Sequence, residues 1–73
     1  MKWEDFLKKQ LAASPEEAAA YLRVTLAEHG PAAFALALRR VIEARGSLAD
    51  LPLSAMELAD MLKALDANVR QAA

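Results

Sequence analysis

The chain has 73 residues, enough for one domain and too few for two, and its nine basic and ten acidic side chains leave a net charge of −1. That balance lacks the basic excess of most duplex-binding domains. Eighteen alanines and twelve leucines, against four valines and isoleucines together and two glycines, form a helix-favouring alphabet that excludes a sandwich, a barrel or a Rossmann-type sheet. With no cysteine, disulfide scaffolds, thiolate zinc sites and Cys nucleophiles are excluded as well.

The first predicted element, Lys2 to Ala12, carries Trp3, Phe6, Leu7 and Leu11 at spacings of three and four. Trp3 and Phe6 read as a terminal anchor on the core, with a partner hot spot as the other option. Ser14-Pro15-Glu16-Glu17 then has the form of a capping box with Pro at the first helical position. It opens a helix to about Glu28 that turns Ala18, Tyr21, Leu22 and Leu26 inward. Gly30-Pro31 ends that helix and begins another, so a hairpin or sharp corner is expected there.

The third predicted helix, Pro31 to Arg45, places Phe34, Leu38, Val41 and Ile42 on one stripe, with Ala35, Ala37 and Ala44 permitting close approach, and Gly46 closes it. Ser47 to Leu51 is expected to form one short helical turn before Pro52. Ser54-Ala55-Met56-Glu57 repeats the capping form and opens a last helix to about Val69 or Arg70. Leu58, Met61, Leu62, Leu65 and Val69 make its apolar stripe, with Met56 apart from it, and Gln71-Ala72-Ala73 is expected to fray. The expected fold is therefore a compact all-α bundle of four helices plus one short helical turn. It forms one domain over 1–73, divided into an N-terminal helix (1–13), a helical hairpin (14–46) and a last segment (47–73).

No catalytic constellation stands out. The one histidine, His29, reads as a residue complementing a helix C-terminus, and it has no HxxxH or HExxH partner. Glu16 and Glu17 suit capping better than acid–base work, and Ser14, Ser47 and Ser54 all precede helices. Neither enzyme activity nor a cofactor or metal is expected. The stretch Gly30 to Leu38, free of charged side chains, is far short of a membrane span, and Met1 to Asp5 lacks the form of a signal peptide. A cytoplasmic protein is the expectation.

Two features are candidates for binding. Arg39, Arg40 and Arg45, with Arg23 as a possible neighbour, form a basic group suited to phosphates or an acidic partner; the alternative is a solvated helix end. The last helix, through Met56, Leu58, Met61, Leu62, Leu65 and Val69, offers more apolar surface than a small core absorbs. That marks a homodimer or partner interface, with plain core packing as the other reading.

Ser14 to Leu22, then Leu26-Ala27-Glu28, Gly30 to Leu38 and Arg39 to Gly46, resemble the small bacterial addiction-module antidote proteins, also described as DNA-binding prophage proteins. The likeness covers about 33 residues, including the proline–glutamate opening, the Gly-Pro-Ala-Ala turn and the Glu43-Ala44-Arg45-Gly46 ending. It implies a repressor-type helix-turn-helix after that ending, operator DNA as ligand, and in some systems a toxin as partner, bound by a dimer. The second half departs from the pattern. Either Leu53-Ser54 and Ala55 to Leu62 stand for the turn and recognition helix, after a first helix about three residues short and interrupted by Pro52, or Met61 to Leu65 matches the family's last helix and the DNA-reading unit is largely lost. In both cases Glu57 and Asp60 occupy the would-be recognition helix, where groove-reading helices present donors, and only Lys63 adds a cation. An operator-binding regulator with a possible toxin partner is the first expectation. A small helical interaction or dimerisation module without DNA binding is the second.

Overall fold

Helix boundaries follow local chemistry throughout the computed structural model, which describes residues 2–72. Helix α1 spans Trp3–Ala13, α2 spans Pro15–Arg45 and α3 spans Ala55–Ala72. Ser14 is the hinge between the first two. Its amide donates to the Gln10 carbonyl and closes α1, while its Oγ accepts from the Glu17 amide at 3.2 Å and opens α2. Because that amide is already engaged, Glu17 does not reach back to it, and the Ser14 hydroxyl instead donates to Glu16. At Ser54 the capping box is complete. The Glu57 amide donates to Ser54 Oγ and the Ser54 amide to Glu57 Oε1, both at 3.1 Å.

The architecture is all-α with three helices, not the expected four. The second and third predicted helices are joined without an intervening residue, and only Gly30 (φ 86°, ψ −177°) leaves helical geometry inside α2. A straight helix of this length would span about 46 Å, yet the longest dimension of the molecule is 35 Å. Likewise, Arg40 Nη1 lies 3.3 Å from Tyr21 Oη, although 19 residues of straight helix would separate them by about 28 Å. Gly30 therefore folds α2 back on itself, and Pro31, which has no amide hydrogen to lose, starts the second limb.

Two more expectations are corrected. Residues 47–51 form no helix: Leu51 donates to the Leu48 carbonyl in a single turn, and Ser47 Oγ accepts from the Ala49 amide two residues on. One turn ahead of Pro52 gains too few bonds to repay helix nucleation. The last helix continues past Arg70 to Ala72; the fraying expected at Ala73 lies outside the described residues.

Helices α1 and α3 each pack on α2. The core joins Leu7 and Leu11 of α1, Ala18, Leu22, Phe34, Ala37 and Val41 of α2, Leu51 of the connecting segment, and Met61 and Ala64 of α3. Each fully buried large side chain contributes roughly 1.5–3 kcal/mol; Phe34, Leu11, Leu22 and Val41 are in that class. Ala18, Ala19 and Ala37 of α2 are fully buried as well. Ile42 lies on the exposed rim rather than inside. Trp3 and Phe6 are exposed as well and do not anchor on the core; they stack on each other with ring centroids 6.2 Å apart.

Candidate interaction surface

The four arginines near α2 do not converge on one basic patch. Arg45 is drawn inward, with its side chain 10% exposed. Its Nη1 donates to the carbonyls of Leu11 and Ala12 at 3.0 and 3.1 Å, which satisfies the open C-terminus of α1, and its Nη2 pairs with Asp50. The Arg45 guanidinium holds the Asp50 carboxyl below its ordinary range. Arg23 ties the first limb of α2 to the start of α3. It pairs with Glu57 and donates to the Pro52 carbonyl at 2.6 Å. This pairing, joined by the Ser54 amide, lowers the Glu57 carboxyl to about 2.

Arg40 is half-buried and donates to the Tyr21 hydroxyl, bridging the two limbs. Only Arg39 stands largely in solvent, with Glu43 one turn away at 3.1 Å. Lys63 is exposed on a different element, α3. A shallow cleft of about 340 Å³ between α1 and the second limb is lined by Lys8, Arg39 and Arg40, and equally by Glu4, Asp5 and Glu43, so its field is mixed. Residues 46–54, which connect α2 to α3, carry no helix. Among the described residues no three His, Cys, Asp or Glu side chains group as a metal site, and no helix is long and apolar enough to cross a membrane.

The predicted α3 stripe divides in two. Met61 is buried, 6% exposed, and with Ala64 and half-buried Leu65 forms the side seated on α2. Leu58 (43%), Leu62 (66%) and Val69 (64%) face outward, as does Met56 on another side of the helix. Ala64 and Met61 are both buried in the core cluster, which leaves Leu58, Leu62 and Val69 on the exposed flank. Periodicity locates an apolar row, but not which flank of it turns inward, and Ala64 was not among the predicted stripe residues.

The exposed Leu58, Leu62 and Val69, with half-buried Leu65 at the edge of the seated side, are spaced four, three and four residues, which is the repeat of a coiled-coil seam. The inner flank of this row, Met61 and half-buried Asn68, lies toward α2, and its outer flank carries Ala59, Lys63, Asp66 and Arg70, all exposed. No protein-family model, no curated protein and no solved structure matches this chain.

Proposed function

We propose that the chain is a small helical protein-interaction module that associates through the outward row of α3. The observation that carries this reading is the exposure of Leu58, Leu62 and Val69 together on one helix whose neighbouring flank, at Met61 and Ala64, is already seated in the core. Four of the nine large apolar side chains exposed among the described residues lie on α3. The engagement of Arg23, Arg40 and Arg45 in internal bonds supports the same reading, because it assigns those cations to holding the fold.

Sedimentation of the full chain from about 10 µM to 1 mM tests it, since a single helix face lies at the small end of stable interfaces and calls for the upper part of that range. Average mass rises with concentration in the wild type and stays monomeric in Leu62→Glu. A wild type that is monomeric throughout overturns the reading.

A second reading is the operator-binding regulator of antidote type. It is supported by the resemblance over 14–46 and by Arg39, whose guanidinium is open to solvent. It requires retention of the gene's own upstream DNA at about 50 mM salt, weakening steeply by about 200 mM as released counterions compete. No retention at the lower salt removes it. A toxin partner would be the product of an adjacent short reading frame, tested by co-purification with that product.

A further inference from the structure

We infer that the occupant of the α3 row is a second copy of this chain, docked antiparallel with its two-fold axis between residues 63 and 64. The inference rests on the interaction-module reading and gives it a partner and a register. Its first support is the order of the row. Read from either end, the spacing is four, three, four, so an antiparallel copy of α3 matches it layer by layer. Leu58 meets Val69 of the second copy, Leu62 meets its Leu65, and the two remaining layers repeat these by symmetry. Every exposed member of the row thereby gains an apolar neighbour, and the half-buried Leu65 is covered by the most exposed one, Leu62.

Charge gives the second support and selects the orientation. In an antiparallel pair the outer flank of one helix faces the outer flank of the other, whereas in a parallel pair it faces the inner flank. The outer flank carries Lys63 and Asp66, and the antiparallel register sets Asp66 within two residues of the level of the other copy's Lys63, twice across the two-fold. A parallel pair would instead set Asp66 against the other copy's Met61 and Asn68, leaving it only its own Arg70, one turn away at 3.1 Å, whereas the antiparallel pair adds Lys63 of the other copy. The helix dipoles also oppose one another in the antiparallel arrangement.

The absence of cysteine permits single spin labels in the full chain. Labels go on Met56→Cys and Arg70→Cys, both exposed positions outside the row. In the antiparallel register residues 56 and 70 of the two copies lie within one residue of the same level, while the two 56 positions lie 15 residues apart along the axis, about 22 Å. The mixed 56–70 distance is then shorter than the 56–56 distance by about 10 Å. The reverse order in a dimer overturns the register but leaves self-association intact; a monomer at about 1 mM overturns both. The charge pair has its own readout. Lys63→Glu weakens the dimer about three- to tenfold at low salt, and adding Asp66→Lys restores it. A wild-type dimer indifferent to both changes refutes the assigned flank contact.

Discussion

Replacing Arg45 with alanine separates a residue that holds the fold from one that meets a ligand. The side chain is nearly enclosed, and two charge-assisted bonds run from its Nη1 to the last carbonyls of α1, with Asp50 on Nη2. Bonds of that kind are each worth roughly 1.5–3 kcal/mol. Two of them share one nitrogen, and the Ala12 carbonyl regains water on truncation, so the combined loss is about 2–3 kcal/mol. A chain of this length has a total stability of about 4–11 kcal/mol, and each kcal/mol shifts the midpoint by about 4–8 °C. Arg45→Ala therefore lowers Tm by about 10–20 °C, read by circular dichroism on the Leu62→Glu background so that dimerisation does not contribute. Arg39→Ala removes only an exposed i,i+4 pair and lowers Tm by less than about 3 °C. Equal small shifts for the two variants would refute the placement of Arg45 as the tie between α1, α2 and the connecting segment.

Gly30→Ala destabilises by about 1–3 kcal/mol, since φ 86° with ψ −177° is a region essentially reserved for glycine, while Gly46→Ala at ordinary left-handed geometry costs about 1 kcal/mol. An added Cβ meets nothing within 4 Å at either site, so urea midpoints that fall in the opposite order contradict the bend assigned to Gly30. Glu57, with a folded value of about 2, contributes stability that is fully present above the unfolded value of about 4.3 and is lost as pH falls toward 2. The Tm gap between wild type and Glu57→Gln accordingly narrows across that window, and a gap constant from pH 5 to 2 argues against the Arg23–Glu57 tie.

What could be read from the sequence is what adjacent residues decide among themselves. Ser14 and Ser54 cap helices, Gly46 takes a left-handed turn after Arg45, and Gly30-Pro31 marks the reversal, because each of these depends on groups within four residues. The helix count departs from the sequence pattern at that same reversal, where a single bent residue leaves no connector. Ser47 looked like another cap, but a cap needs a helix long enough to follow it, and Pro52 stands in the way. The candidate site was harder to read. Arg45 reaches carbonyls 33 and 34 positions earlier, and Arg23 a carboxylate 34 later, so their dispersal depends on tertiary packing alone. The α3 row is legible as a period, but the period does not tell that the buried side is the flank of Met61 and Ala64.

The claim that α3 docks on a second copy is tested most directly by amide NMR spectra of the uniformly labelled chain diluted from about 1 mM to 20 µM. Resonances of Leu58, Leu62, Leu65, Asp66 and Val69 move with concentration, while those of Trp3, Phe6, Leu36 and Arg39 stay fixed. Spectra that do not change on dilution, or changes confined to the face of α1 and the second limb of α2, contradict the account.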